Sequence, residues 1–426
     1  MTQITPHLTR LVISSDPVPA PVQAVCRLSM LDWMACGIAG ASEPVSRIVR
    51  AQVLEEEGAR QAVLFGGGRA PVRAAALVNG TVSHALDYDD THFAHIGHPS
   101  VAVLPAILAL AEQRDTGLPE VVDAAAIGME ASVRAGIWLG RAHYQAGFHM
   151  TATAGAIGAA AGTARLLGLP DAQVAQALGL AATRAAGLKA HFGTMGKPWN
   201  AGIAASSGVE AVQLVARGFE ANPDALDGPH GFGATHYGES NDPGTDWQLP
   251  QVRHKFHACC HGLHAALETL GALDLAAPEV AAITLRTHPR WLTVCNQPAP
   301  TTGLGAKFSY RTALALGLTG RDTARLSTFS DALAVSADVV AARELVTVMG
   351  DESLTEEQAA LEVLRRDGQR LTAFHDLDAP VDMAARTDRV QAKASALLGD
   401  ETAASLRRLI ASDRARAADL ATQMEV

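Results

Sequence analysis

The feature that most restricts the fold of this chain is a run of small residues, TATAGAIGAAAGTARLLGLPDAQVAQALGLAATRAAGL, at positions 151–188. The spacing of its apolar residues predicts two helices, the first ending at Gly168 before Pro170 and the second capped by Asp171. Small side chains cover nearly every face of these helices, so neighbouring helices can approach closely. The run is therefore typical of helices that are buried inside a bundle.

Helical periodicity also marks most of the chain between residues 20 and 220. The clearest segments are VQAVCRLSMLDWMACGIAGA, SRIVRAQVLEEEGARQAVL, APVRAAALVNGTVSHAL and PSVAVLPAILALAEQR. Each carries apolar residues at three- and four-residue spacing, and proline and glycine separate one segment from the next. We therefore expect this part of the chain to be helical.

The pattern changes after residue 250, where EVAAITLRTHP and ALEVLRRDGQRLTAFHD alternate apolar and polar residues. The Asp367-Gly368 pair in the second segment predicts a hairpin between two strands. SYRTALALGL and LTEEQAALEVL keep a partly helical pattern, and the C-terminal residues return to helix. The predicted fold class is mostly α, with a large all-helical domain (residues 1–250 and 386–426) and a smaller α+β lid domain (residues 251–385).

Charge and cysteine usage limit the kind of partner. The chain has 34 Lys and Arg against 44 Asp and Glu, a formal net charge of −10, which argues against a nucleic acid or an anionic membrane as partner. The N-terminal residues fit neither a secretory signal nor a transmembrane span. Five scattered cysteines fit a reducing compartment better than a disulfide framework. We therefore expect a cytoplasmic protein that acts on a small molecule.

Proton-active side chains are concentrated in HALDYDDTHFAHIGHPS, residues 84–100. The residue before Pro99 disfavours helical geometry, so we expect an acidic, histidine-bearing loop. A metal site is one interpretation, since three histidines recur every third residue and carboxylates lie alongside. On a continuous helix, however, the third histidine would be rotated well away from the first, and Gly97 argues against a continuous helix. These histidines are His92, His95 and His98. Helix capping is a second interpretation, and acid/base catalysis is the one we favour.

Two further stretches place one chemically active residue at the start of a helix. In QAGFHMTATAG, His149 precedes the small-residue helix, whose first amides would favour an anionic ligand and a neutral imidazole. In HFGTMGKPWNAG, Lys197 lies between a glycine-containing loop and a helix that Pro198 can start. An isolated histidine or lysine is usually only packed or solvated, so each stretch by itself is weak evidence for a site.

A fourth stretch, RHKFHACCHGLHAALETL, combines histidines, cysteines and basic residues. His257, His261 and His264 would share one helical face and, with a cysteine, could form a zinc site. No second cluster at zinc-finger spacing accompanies them. Arg253 and Lys255 favour anion binding instead, close to the predicted domain boundary.

Together these stretches resemble the MmgE/PrpD family, which includes 2-methylcitrate dehydratases, cis-aconitate decarboxylases and iminodisuccinate epimerases. The matching blocks, in family order, are NGTVSHALDYDDTHFAHIGHPSVAVLPAILALAE, GFHMTATAGAIGAAAGTARLLGL, GTMGKPWNAGIAASSGVEAVQLVARGF, KFHACCHGLHAALE and AKFSYRTALALGL. The resemblance implies a helical domain plus an α+β lid, a homodimer, no cofactor or metal, and a site between the domains for a small polycarboxylate.

The resemblance also implies site residues. The expected catalytic residues are His149 of G-F-H, His98 of H-P-S and Lys197 before proline. The expected substrate-binding residues are Asp87 and Thr91 of L-D-x-D-D-T and Lys255 of the lid motif. We add Cys260, His261 and Tyr310 to the expected substrate-binding residues, at or beside positions where this chain departs from the family.

Three positions depart from the family pattern. Asn200 stands where the family often has histidine, and Cys260 stands where the decarboxylases have histidine. Thr312 occupies the position of an expected tyrosine, with Tyr310 two residues earlier. These departures count against a copy of the decarboxylase site.

The resulting hypothesis is a lyase that abstracts a proton α to a carboxylate, with Lys197, Lys255 and Thr91 stabilising the anion that forms. Dehydration of a 2-methylcitrate-like compound ranks first. Epimerisation of an amino-dicarboxylate such as iminodisuccinate is the alternative, and decarboxylation of cis-aconitate ranks third. A carboxylate-binding protein without catalytic activity is the alternative from a different class.

Overall fold

The computed structural model of the chain describes residues 2–425. Internal contacts divide the chain into two compact units, Met1–His254 with Leu398–Val426, and Lys255–Leu397. We call the first the helical unit and the second the mixed unit. The domain boundaries predicted from the sequence, at residues 250 and 385, stay predictions.

The helices account for most of the described chain. In chain order they are α1 (Ile4–Ile13), α2 (Ala20–Gly40), α3 (Pro44–Glu55), α4 (Val72–Ser83), α5 (Ser100–Gln113), α6 (Leu118–Gln145), α7 (Met150–Leu167), α8 (Asp171–Ala182), α9 (Gly196–Val215), α10 (Phe232–Thr235), α11 (His264–Gly271), α12 (Pro289–Leu292), α13 (Gly303–Ala306), α14 (Tyr310–Leu318), α15 (Asp331–Ala334), α16 (Ala337–Arg343), α17 (Met383–Leu398), α18 (Asp400–Ile410) and α19 (Ala417–Thr422). Within residues 2–425 no single helix has both the length and the apolar content to cross a membrane. The pair α2 and α3, bent by 86°, passes that test on length and composition alone.

The strands are short and form two sheets. They are β1 (Ala62–Val63), β2 (Arg69–Ala70), β3 (Val280–Thr287), β4 (Val346–Gly350), β5 (Gln358–Arg365) and β6 (Arg370–Asp376). In the helical unit β1 and β2 form an antiparallel pair, and in the mixed unit the order is β4-β3-β5-β6. β3 pairs in parallel with β4 and antiparallel with β5, which pairs antiparallel with β6.

The core of the helical unit is built around α7, which packs against α5, α6 and α9. Every residue of α7 from Met150 to Ala164 is buried. A Cβ at Gly158 would lie 2.5 Å from the Cβ of Ser132 and 2.6 Å from the carbonyl oxygen of Gly128, both in α6. The helices therefore approach as closely as their backbones allow, which confirms the prediction of buried, close-packed helices.

The mixed unit places helices on its four-stranded sheet. α11 packs against β5 and β6, and α14 packs against β4. The hairpin between β5 and β6 turns at Gly368, whose φ of +87° suits glycine, so the hairpin prediction is confirmed. The predicted fold class, mostly α with a smaller α+β part, is likewise confirmed.

Some local predictions are wrong. LTEEQAALEVL, predicted to be partly helical, enters β5 at Gln358, because pairing with β3 on one side and β6 on the other stabilises the extended form. β4 was not predicted. α7 ends at Gly168 as predicted, and Gly168 adopts the left-handed conformation. Asp171, predicted to be the N-cap of the next helix, is instead the first residue of α8, and Pro170 occupies the N-cap.

The packing of α7 can be tested with Gly158→Ala. We expect a loss of about 1–3 kcal/mol in the free energy of unfolding, because the new methyl group would overlap α6. Thermal or urea unfolding measures it. Gly271→Ala is the control, since a Cβ there meets nothing within 4 Å. Equal stability of Gly158→Ala and wild type would contradict the account of this interface.

Candidate active site

Four helix ends of the helical unit converge on one cluster of polar side chains, which we call the histidine cluster. His84 is the C-cap of α4, and His149 is the N-cap of α7. His98 lies two residues before α5 begins, and Lys197 lies in the first turn of α9. Asp87 and Asp89 come from the loop between α4 and α5. Three of the four helices present their N-terminal ends, which favours negative charge in the cluster.

The loop that carries the two aspartates has an unusual backbone. Asp87 has a φ of +51° and Ile96 a φ of +56°, and the second is a rare conformation for a β-branched residue. The backbone amides of Thr91 and Arg253 each donate to the other's carbonyl oxygen, at 2.8 and 2.7 Å. Strained backbone of this kind is maintained only where the surroundings fix it, which is common at functional sites.

Asp89 is the centre of the histidine cluster. Its two carboxylate oxygens lie 2.9 Å from Nδ1 of His84 and 2.8 Å from Nδ1 of His98, and all three residues are buried. Burial by itself raises the pKa of Asp89, but the charges and hydrogen bonds of the two histidines bring that pKa well below its ordinary value. The carboxylate is therefore ionised, and it orients both rings through Nδ1.

Asp87 connects His98 to Lys197. Its carboxylate accepts from Nζ of Lys197 at 2.6 Å and lies 3.6 Å from Nε2 of His98. The Lys197 ammonium also lies 5.4 Å from the centre of the Phe192 ring. His98 therefore has a carboxylate beside each ring nitrogen.

The surroundings of His149 disfavour a protonated ring. Its pKa is well below the ordinary value, because the ring is buried and because His84, Lys197 and His98 would repel a positive charge there. This agrees with the neutral imidazole predicted from the sequence. Asn200 in α9 lies with Nδ2 3.2 Å from Nδ1 of His149.

The orientation of the Asn200 amide selects the tautomer of His149. As placed, Nδ2 donates to Nδ1, so the proton of the neutral ring is on Nε2. With the amide turned over, its oxygen accepts from Nδ1–H and Nε2 becomes a base.

A second pair of buried carboxyl groups lies behind the loop. Asp90 accepts from the backbone amide of Ser100 at 3.2 Å, and Asp32 in α2 is also buried. Burial and the charge of Asp32 raise the pKa of Asp90 to about 7. Asp90 therefore changes its protonation near neutral pH although it lies in the interior.

The histidine cluster contains side chains of the kinds that bind metal ions. Among residues 2–425, one group of three or more His, Cys, Asp or Glu side chains has ligand atoms within 4.8 Å of one another, namely His84, Asp87, Asp89 and His98. The ammonium of Lys197 already contacts Asp87 and supplies a positive charge. The expected absence of a metal stays a prediction.

Two of the three histidines that recur at every third residue, His92 and His95, contact hydrogen-bond partners outside the histidine cluster. Nε2 of His92 donates to the carbonyl oxygen of Gln248, at 3.1 Å. Nε2 of His95 lies 3.3 Å from Ser132 Oγ, and burial and His92 lower its pKa to about 3.

The remaining predicted site residues lie in the mixed unit, and their substrate-binding roles stay predictions. Lys255 and His261 are buried, and the His261 ring lies 4.6 Å from that of His264. The Tyr310 hydroxyl donates to the carbonyl oxygen of Gly262 at 2.7 Å. Burial holds the pKa of Tyr310 well above its ordinary value, so it stays protonated.

Sequence reasoning singled out four members of the histidine cluster, which lie together: Asp87, His98, His149 and Lys197. It did not assign roles to His84, Asp89 or Asp90. Their signal was present in H-A-L-D-Y-D-D, but spacing does not reveal which aspartate contacts which ring. Thr91 forms backbone hydrogen bonds with Arg253, and a substrate-binding role for its side chain stays a prediction.

Comparison with known proteins gives two family matches. The model of the MmgE/PrpD N-terminal domain matches residues 7–243, and that of the MmgE/PrpD C-terminal domain matches residues 257–415.

The curated relatives are named cis-aconitate decarboxylases or cis-aconitate decarboxylase-like proteins. The cis-aconitate decarboxylase of Aspergillus terreus (strain NIH 2624 / FGSC A1156) is 32% identical over 295 residues, 63% of this chain and 59% of that protein. The cis-aconitate decarboxylase-like protein oryM of Aspergillus oryzae is 29% identical over 317 residues, 68% and 66% of the two chains. The cis-aconitate decarboxylase of Homo sapiens is 36% identical over 172 residues, 39% and 35% of the two chains. The matches thus span between about a third and two thirds of these relatives.

The raised pKa of Asp90 predicts a pH-dependent stability. Between about pH 4 and pH 7 the unfolded chain has lost this proton while the folded chain keeps it, so rising pH destabilises the fold. Asp90→Asn removes this effect. Its stability relative to wild type should increase from pH 4.5 to pH 8, by about 1.4 kcal/mol per unit of pKa difference.

Urea unfolding at several pH values measures this difference. Asp16→Asn, which changes an exposed carboxylate, is the control and should follow the wild-type curve. A constant difference between Asp90→Asn and wild type across this range would show that Asp90 is ionised in the folded protein.

Proposed function

Because the chain belongs to the MmgE/PrpD family, we propose that it is a cofactor-independent lyase acting on a small di- or tricarboxylate. The observation that carries the proposal is the contrast between two histidines of one cluster. His149 is neutral, whereas His98 has a carboxylate at each ring nitrogen. Two titratable groups whose surroundings favour opposite protonation states are suited to the roles of base and acid.

Substrate binding in this proposal depends on Lys197 and on the first amides of α7. The Lys197 side chain is 17% exposed and its ammonium contacts Asp87. In this proposal the same ammonium also binds a substrate carboxylate. The N-terminal amides of α7 contribute partial positive charge next to His149. A carbanion beside a carboxylate spreads its charge onto oxygen, and both groups stabilise that charge.

Proton transfer in this proposal divides between the two histidines. In dehydration or epimerisation, Nε2 of His149 takes the proton from carbon. This step requires the Asn200 amide to turn over, so that its oxygen rather than Nδ2 lies at Nδ1 of His149 and accepts from Nδ1–H. Nε2 of His98 delivers a proton to the leaving group or to carbon, and Asp89 stabilises the charged ring through Nδ1. His84 shares the other oxygen of Asp89 and keeps that carboxylate in place.

The relatives change the order of the candidate reactions. The sequence motifs ranked dehydration first, but the curated relatives named above are cis-aconitate decarboxylases or decarboxylase-like. We therefore place decarboxylation of an unsaturated tricarboxylate first, where loss of CO2 leaves an electron pair that His98 protonates. Dehydration of a 2-methylcitrate-like compound is the second candidate, because Asn200 and Cys260 depart from the decarboxylase pattern.

The test is a substrate panel followed by NMR in deuterated water. Citrate, 2-methylcitrate, cis-aconitate, a malate-like acid and an amino-dicarboxylate are each incubated with the protein. CO2 release with deuterium in the product supports decarboxylation, loss of water supports dehydration, and exchange without elimination supports epimerisation. Binding of a panel compound without any of these reactions would contradict the proposal and favour a carboxylate-binding protein.

His149→Gln tests the proposed base. In dehydration or epimerisation, where a proton is taken from carbon, we expect turnover to fall about 10²- to 10⁴-fold, the usual contribution of a general base, with melting temperature and substrate binding preserved. Decarboxylation takes no proton from carbon, so a panel that shows only CO2 release assigns no base role to His149. His230→Gln, at an exposed position of the same unit, is the control and should keep full activity.

Asn200→Asp separates two roles for His149. An Asp carboxylate can only accept from Nδ1–H, so a base at Nε2 should keep turnover within about tenfold of wild type, well above that of His149→Gln. If His149 acts instead as an Nε2–H donor with Nδ1 as acceptor, the turnover of Asn200→Asp should fall as far as that of His149→Gln. That second result would contradict the assignment of His149 as base.

Lys197→Ala tests the carboxylate contact. A charge-assisted hydrogen bond contributes about 1.5–3 kcal/mol, so kcat/KM should fall about ten- to a hundredfold, through both kcat and KM. Lys189→Ala is the matched control, because the Lys189 ammonium donates to the carbonyl oxygen of Tyr144 instead. An unchanged kcat/KM in Lys197→Ala would remove this lysine from the site.

A further inference from the structure

Two cysteines of the mixed unit lie in sulfur-to-sulfur contact. Sγ of Cys295 is 3.2 Å from Sγ of Cys260, although the residues are 35 positions apart in the sequence. Cys295 is fully buried and Cys260 is partly exposed. The proposed reaction uses neither sulfur as a proton carrier, so the contact calls for an explanation of its own.

The backbones that carry the two sulfurs share one support. The amide of Cys260 donates to the carbonyl oxygen of Lys307 at 3.0 Å, and the amide of Tyr310 donates to the carbonyl oxygen of Cys295 at 3.0 Å. Asn296 and Ser309 form an isolated antiparallel bridge in the same place. Residues 307–310 therefore hold both cysteine segments at a fixed separation.

We propose that Cys260 and Cys295 are a redox-active thiol pair that a hydroperoxide converts into a disulfide. A disulfide has an S–S bond of about 2.05 Å, so the sulfurs have to approach by about 1.2 Å. The thiolate of Cys260 attacks the hydroperoxide oxygen, which gives a sulfenic acid and water or an alcohol. The Cys295 sulfur then displaces the sulfenic hydroxyl, its proton leaves in a second water molecule, and the S–S bond forms.

The two thiols differ in a way that sets this order. Cys295 donates its S–H to Cys260, and this hydrogen bond together with burial raises the pKa of Cys295 well above its ordinary value. The proton therefore stays on Cys295, and the more exposed Cys260 is the first to react. Cys259 is buried beside it, and Cys26 is inert because burial raises its pKa to about 12.

The disulfide would also affect turnover, and this part rests on the proposed function. Cys260 is one of the predicted substrate-binding residues, and oxidation removes its thiol from that role. The bond would also tie Cys260 to Cys295 and fix the segment that runs to Gly262, which Tyr310 already holds. Oxidised protein should therefore lose most of its activity and regain it with a dithiol reductant.

The test maps the bond directly in the full-length protein. Protein treated with hydrogen peroxide is alkylated, digested with trypsin without reduction and analysed by mass spectrometry. We expect a cross-link between the peptides of residues 256–286 and 291–307. It should persist in Cys259→Ala, the matched control, and disappear in both Cys260→Ala and Cys295→Ala.

Three results would overturn the thiol pair: no such cross-link in wild type, a cross-link that persists in Cys260→Ala, or a predominant bond between Cys259 and Cys260. Cys260→Ala, at the more exposed position, keeps the test valid if Cys295→Ala does not fold. The mapping needs no substrate, so it decides the pair even if the proposed lyase activity is absent.

Activity is then compared with that of the same protein before oxidation. On oxidation, the activity of wild type and of Cys259→Ala should fall at least about fivefold and recover with dithiothreitol. The activity of Cys295→Ala should fall less than about twofold. If the cross-link forms and wild-type turnover is unchanged, the effect on substrate binding is wrong.

Discussion

The close approach of α7 to its neighbours is the constraint on which the rest of the helical unit depends. Glycine and alanine let the backbone of α7 approach α6 and α9, and the start of α7 lies beside the start of α9. His149 lies at one of those starts, and Lys197 and Asn200 lie at the other. A larger side chain in the interface would therefore move the reacting groups as well as weaken the core.

Electrostatics then separates groups that would share one pKa in water. Asp89 is buried but ionised because two histidines contact it. Burial and the charge of Asp32 raise the pKa of Asp90 to about 7. His149 is neutral because burial and the charges of His84, Lys197 and His98 lower its pKa. The same degree of burial thus gives three different results, and the neighbour of each group decides which one. In the proposed lyase, this separation lets one group of the cluster act as acid and another as base.

The sequence predicted those parts of the molecule that depend on local pattern. Small residues at helical spacing predicted the buried bundle, and single residues at helix starts identified His149 and Lys197. It failed where partners are distant. LTEEQAALEVL was predicted to be partly helical, but from Gln358 onward it is a strand because β3 and β6 flank it. The charge of Asp32, in α2, acts on Asp90, in a loop far away in the sequence. The central role of Asp89 was missed because the positive φ of Asp87 redirects the loop, which spacing alone does not reveal.

The central claim is that His149 stays neutral inside the cluster, and an NMR titration of the imidazole ring tests it most directly. Protein labelled with ¹⁵N in its histidine rings is titrated from pH 8 to pH 5, and His149→Gln assigns the His149 signals. The account predicts that the His149 nitrogens still have the shifts of a neutral ring at pH 6.5, where an ordinary histidine is half protonated. A titration midpoint at or above pH 6.5 would contradict it.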